Sequence, residues 1–327
     1  MGGENGSARL LAWRHQLIII SVMSEMRLTD PIAEAARGLL AAQLRIIHAH
    51  FEDVARRADV TSVHEMRKAI RRSLTAVTLF APYFEPETMP AFHPPLRKIM
   101  KRLGRARDLA ILGQNLDAYL QAQPTNREAH DHLTRLREHI QTRQTAAETQ
   151  FQTYLQREKW RTFWQDYASF LQTPGAGVLP PPLYAPTQVR HLLPVLIYQR
   201  LANVLAFGDH LEQATLAEMH QLRLQAKELR YALEFFAPLL GPTFTVIHAT
   251  VKRMLEHMGE QNDAHVGERW LAQELKVVDS PELRRAIQFY QGVLRQRLHQ
   301  LLAEFPQVWA EFDHPAWRIN LALALPP

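Results

Sequence analysis

From Pro31 onward, apolar residues recur at three- and four-residue spacing almost without interruption, and nowhere do they alternate in the period of two that a half-buried strand requires. A chain written this way folds as an all-α protein. The spacing predicts helices over about 31–57, 61–81, 91–122, 126–158 and 160–171, then over about 187–207, 212–237, 243–274 and 281–305. Asp30-Pro31 reads as a cap followed by proline at the first helical position, and Thr61, Ser62 and Glu65 read as a capping box. Between the two runs lies QTPGAGVLPPPLYAPT, residues 172–187, the Pro/Gly-dense stretch expected of a linker. The organisation that follows is an N-terminal extension over 1–27, a first helical bundle over 28–171, the linker, a second bundle over 188–313 and a C-terminal tail over 314–327. Met23 and Met26 stand just before the first helix, so residues 1–25 read as an upstream extension or an early start.

The second half echoes the first. A shift of 156 residues places His64 on His220, Arg67 on Arg223, Arg71 on Lys227, Ala76 on Ala232 and Phe80-Ala81-Pro82 on Phe236-Ala237-Pro238. A shift of 155 places Leu103-Gly104 on Met258-Gly259 and Asp108 on Asp263. Order and spacing persist across two successive helices and the turn between them, which reads as two homologous four-helix units related by an approximate internal two-fold.

The repeated helices read VHEMRKAIRRSLTAVTLFAPYF and MHQLRLQAKELRYALEFFAPLL. At about 100° per residue, His64, Arg67 and Arg71 fall within roughly 60° of one another, and His220, Arg223, Lys227 and Arg230 within roughly 80°. Lys68 and Arg72 adjoin the first stripe. Val63, Met66, Ile70, Leu74 and Val77 lie beside it, so the cations border the packed face, and no Asp or Glu intervenes between Lys68 and Phe84. Like charges three and four residues apart cost a few tenths of a kcal/mol per pair, which an anionic ligand would offset. The next helix, LRKIMKRLGRARDL, adds Arg97, Lys98, Lys101, Arg102, Arg105 and Arg107. Residues 61–107 hold ten basic and three acidic side chains, a net +7 where the whole chain is +5. The second half keeps Lys252 and Arg253 but sets Glu256 and Glu260 where the first has Lys101 and Arg105, so polyanion affinity should favour the first half.

Other chemistries find little support. The chain has no cysteine, which removes disulfides, thiolate nucleophiles and Cys-type metal sites. The apolar run Leu17–Met23 is far short of the ~20 residues of a membrane span, and its flank lacks a secretory signal's features. A cytoplasmic protein with no membrane contact is expected. No H-E-x-x-H, Walker or dinucleotide fingerprint occurs. His130-Asp131 is an isolated HD doublet without further ligands to join it. Asp108 and Asp263 read as structural ion-pair or hydrogen-bond partners in preference to Mg²⁺ ligands, and Trp160, Trp164, Trp309 and Trp317 as packing residues with no cofactor implied.

The two H-x-x-R-x-x-x-[RK] helices, the FAP turn after each, the LGRARDL and MGEQNDA segments and the opening DPIAEAARGLLAAQLRIIHAHF together resemble the CHAD domain, the conserved-histidine α-helical domain, over about residues 28–312. The resemblance implies two pseudo-symmetric four-helix bundles with a basic surface or pore at their junction. It also implies binding of inorganic polyphosphate and association with polyphosphate granules. Carried over by position, it nominates His64, Arg67, Arg71 and Arg72, and His220, Arg223, Lys227 and Arg230. Leu74 and Glu228 stand where the family often has bases, so the halves should contribute unequally. A CYTH-type triphosphatase, often fused to such domains, has no E-x-E-x-K strand here.

The expectation is therefore a non-enzymatic polyphosphate binder, its chemistry charge alone: arginine forks and lysine point charges repeated at short spacing. The alternatives are a metal-dependent phosphohydrolase or phosphotransferase on polyphosphate or nucleotides, with His64 or His220 as phosphate acceptor, and nucleic-acid binding by the same surface. No aromatic residue interrupts the stripe from His64 to Leu79, unlike many single-strand sites.

Overall fold

The computed structural model describes residues 26–56, 60–122 and 127–326. Among these residues the fold is carried by ten α-helices: α1 (Ile32–Arg56), α2 (Val60–Phe80), α3 (Thr88–Ala122), α4 (Arg127–Leu155), α5 (Glu158–Gln172), α6 (Val189–Leu205), α7 (Leu216–Phe236), α8 (Phe244–Glu274), α9 (Pro281–Phe312) and α10 (Pro315–Ala324). Short 3₁₀ turns at Ala81–Tyr83 and Ala237–Leu239 terminate α2 and α7, so each FAP motif ends its helix in the same way. Phe80 and Phe236 meet edge to face, ring centres 6.2 Å apart.

Two compact units are assembled from interleaved segments. The first takes the chain up to Met100 together with Gln152–Leu196 and Phe235–Leu239. In it α1 packs on α2 and α5, burying Ala36, Leu40, Leu44 and Ile47 against a core that includes Met66, Ile70, Val77 and Phe80. Local capping differs from the sequence expectation. Helix α2 already starts at Val60, which places Thr61 and Ser62 inside its first turn; Ser62 is buried and its hydroxyl meets His50 Nδ1 at 3.2 Å. Asp30 accepts the Arg27 backbone N–H at 2.7 Å, and the Ile32 N–H donates to the Thr187 carbonyl at 2.8 Å.

The Pro/Gly-rich stretch read as a linker is held down near both of its ends. Arg37, 1% exposed, donates from Nη1 to the Phe170 carbonyl at 2.6 Å, from Nη2 to the Ala176 carbonyl at 2.8 Å and from Nε to Glu34 at 3.2 Å. Its guanidinium lies 4.7 Å from the centre of the Phe170 ring. Glu34 also accepts the Gly175 N–H at 2.9 Å, while Glu85 N–H donates to Gly177 O and Leu179 N–H to Tyr83 O. Gly177 takes φ +62°, and a Cβ there would come within 2.6 Å of Thr88, so this position requires glycine on both counts. Pro180 to Tyr184, between the anchored ends, are exposed.

The second unit comprises Lys101–Phe151, Ile197–Glu234 and Leu240–Pro327. Leu112 and Leu116 of α3, Leu133, Leu136 and Ile140 of α4, Leu271 of α8, and Ile287, Tyr290 and Leu294 of α9 form one core cluster. Gly267 lets α8 approach it closely, since a Cβ would lie 2.8 Å from Leu112 and 3.0 Å from Leu294. The segment read as a C-terminal tail instead forms α10. His314 Nδ1 accepts the Ala316 N–H at 3.2 Å to cap it, Trp317 Nε1 donates to the Ile247 carbonyl at 3.1 Å, and Leu321 is buried. Trp160, Trp164 and Trp309 are buried as well.

Arg37→Met removes a buried cation and leaves the Phe170 and Ala176 carbonyls without their donor. A loss of about 3 kcal/mol in denaturant-unfolding stability is expected, together with faster proteolysis within residues 173–187.

Candidate anion-binding site

Helix α2 lays its apolar side into the first unit, with Met66, Ala69, Ile70, Ala76 and Val77 buried and Val63 and Leu74 half-buried. The cations border that face. His64 and Lys68 are exposed, and Arg67, Arg71 and Arg72 are half-buried. Lys68 lies 4.0 Å from Glu65, one helical turn away, and the Arg72 guanidinium sits 5.1 Å from the centre of the Phe235 ring. The guanidinium of Arg72 thus packs on an aromatic face, with its Nε buried.

Helix α3 has the same division more sharply. Leu96, Ile99, Leu103 and Ala106 are buried, and Arg97, Lys98, Lys101, Arg102 and Arg105 are all exposed. Arg97, Lys101 and Arg105 follow one another at four-residue spacing along the helix, with Lys98 and Arg102 beside them. Among the described residues, no carboxylate lies within ion-pair distance of Arg71, Arg97, Lys98, Lys101 or Arg105.

The corresponding cations of the second half are partly spoken for. Arg230 Nε is 3.4 Å from Glu234, which also meets His248 Nε2 at 3.1 Å. Lys252 pairs with Glu256 at 3.6 Å and Arg253 with Glu311 at 3.2 Å. Glu228, at the repeat position of Arg72, is half-buried; burial pushes its carboxyl up and Arg200 pulls it back.

His220, Arg223 and Lys227 of α7 are joined by two residues that sequence reasoning did not nominate, Asn262 and His265 of α8. His220, Arg223, Asn262 and His265 line one recess of about 30 Å³. Asn262 Nδ2 donates to Asp263 at 3.4 Å. Burial first, then the charges of Arg223 and Lys227, hold the His220 imidazole below its ordinary value of 6.5. Asp263 serves as a hydrogen-bond acceptor here, and Asp108 is half-buried. His130 and Asp131 are exposed. Among the described residues no three His, Asp or Glu side chains cluster as a metal would require, and no helix is long and apolar enough to cross a membrane.

The arrangement offers many N–H donors at surface positions, several without acid partners, and can attract an anion. A CHAD domain model matches residues 38–272. The fold is similar to the crystal structure of the CHAD domain from the plant Ricinus communis, with a TM-score of 0.76 and 21% identity over 89% of this chain and 94% of that one. It is also similar to PptA from Streptomyces chartreusis, with a TM-score of 0.65 and 17% identity over 86% and 99% of the two chains. No curated protein matches the sequence.

Because the folded-state value of His220 lies below the unfolded one, the native state takes up this proton less readily than the unfolded chain. His220 therefore subtracts stability as pH falls below 6.5 and leaves it unaffected above. NMR titration of the His220 ring should give a midpoint under 6.5, and Arg223→Gln or Lys227→Gln should move it upward.

Proposed function

This chain belongs to the CHAD domain family, and from that premise we propose that it binds inorganic polyphosphate through the cations of α2, α3, α7 and α8 and does not turn it over. The observation that carries the reading is the run of exposed cations on α3, of which Arg97, Lys98, Lys101 and Arg105 have no carboxylate within ion-pair distance among the described residues. Polyphosphate presents about one negative charge per interior unit and no base, ring or sugar. Its recognition therefore needs closely repeated donors, which arginine supplies as bidentate forks and lysine as point charges.

The first-half stripe of His64, Arg67, Lys68, Arg71 and Arg72 continues this surface chemistry. In the second half, Arg230, Lys252 and Arg253 already neutralise acids of the same chain, which supports a larger contribution from the first. The two FAP turns and the shared order of His and Arg support the reading of an internal duplication. The site of action in this proposal is the cytoplasm, at polyphosphate granules.

Binding of long-chain polyphosphate should weaken steeply with salt, the logarithm of affinity falling by about 0.7 per contacted phosphate for each tenfold rise, by analogy with single-stranded nucleic acid. Replacing Arg97, Lys98, Lys101 and Arg105 by glutamine should lower affinity at least about tenfold and flatten that slope. Removing the exposed cations Arg269, Lys276 and Arg285 should change it little. Equal affinity in both variants rules the assignment out. Displacement of bound polyphosphate by equimolar duplex DNA would make nucleic acid the ligand instead.

A further inference from the structure

Resting on the polyphosphate reading above, we infer that the recess between α7 and α8 is a chain-end site, which takes the terminal phosphoryl group of a linear polyphosphate and excludes interior units. Its donors come from two helices. Arg223 and His220 project from α7, and His265 and Asn262 from α8. No acidic side chain is among the residues that line it, and Lys227 lies close enough to act on His220 electrostatically.

The size and floor of the recess select an end. A volume of about 30 Å³ has room for the oxygens of one phosphoryl group but not for a chain passing through. Met219, Met258 and Leu298 line it with apolar surface. Gln261, also in the lining, is buried and donates its amide to the Leu301 carbonyl at 3.0 Å, so it is committed to the protein. An interior unit has a bridging oxygen on each side and must continue in both directions. A terminal unit has one bridge and an additional ionisable oxygen, with a second ionisation near pH 6 in phosphate monoesters, roughly. It therefore brings more charge to a cluster of donors while its chain leaves by the entrance. Asn262 is the positioning residue: tied to Asp263 through its amide nitrogen, it stands beside His220 in the lining.

The test compares linear tripolyphosphate with cyclic trimetaphosphate, which has three phosphate units and no end, by calorimetry at pH 8 on the full chain. The wild type should favour the linear probe by about tenfold or more, the scale of a charge-assisted hydrogen bond. Asn262→Ala and His265→Gln should bring the two probes within about threefold of each other while long-chain binding through α3 persists. Asn262→Ala removes no ionisable group, so a preference arising only from the extra charge of the linear probe survives it and overturns the chain-end site. Thermal melts of each variant establish that it is folded, and a variant that melts early is replaced by Asn262→Ser or His265→Asn with the same expectation. Equal binding of ring and chain by the wild type also overturns the site. Failure of the wild type to bind long-chain polyphosphate overturns the functional reading itself and this proposal with it.

Discussion

Helix α3 must be held together against its own charge, and burial of its other side is what holds it. Arg97, Lys98, Lys101, Arg102 and Arg105 repel one another across successive turns, at a cost of about 1–2 kcal/mol summed over the close pairs. On the opposite side Leu96, Ile99 and Leu103 are at most 1% exposed, and at ~1.5–3 kcal/mol each their burial outweighs the repulsion several-fold. The cationic row is thus an affordable feature of a helix anchored from behind. A shorter or less apolar helix carrying the same charges would fray.

That balance separates two uses of the same residue types. Where Arg and Lys are paired, as in Arg253 with Glu311, Arg297 with Glu260 and Arg295 with Glu268, they tie neighbouring elements together. Such surface pairs contribute little stability individually. Where they stand without acids, their field extends into solvent and is available to a polyanion, limited by salt screening over about 10 Å at ordinary ionic strength. Arg37 is a third case. Fully buried, it gives its donors to two carbonyls and a carboxylate of its own chain.

The helices were legible because their apolar faces repeat over many turns; the boundaries over 189–205 and 244–274 fall close to those expected from spacing alone. What the period could not reveal was short or tertiary. Helix α10 spans ten residues and buries only Trp317, Leu321 and Ala324, too few positions to stand out from an apolar tail. Ser62 has the look of a cap, but its hydroxyl is claimed by His50 from another helix. The same limit applies to the site. His220 and Arg223 share a face on one helix and are readable from their spacing, whereas Asn262 and His265 reach them only through the register of α8 against α7. The one available clue was the MGEQNDA segment, where Asn262 sits among residues that echo LGRARDL. Arg37 gave no signal, since a buried guanidinium and an exposed one are written with the same letter.

The anchoring of residues 172–187 has an evolutionary corollary. Gly175 to Leu179 and Thr187 to Val189 are bonded to the body of the first unit, while Pro180 to Tyr184 project from it, Tyr184 with 96% of its surface in solvent. Additional sequence spliced into this apex would disturb none of those bonds. The apex is therefore the place where a descendant of this protein could acquire a second module without giving up the framework that carries its charge.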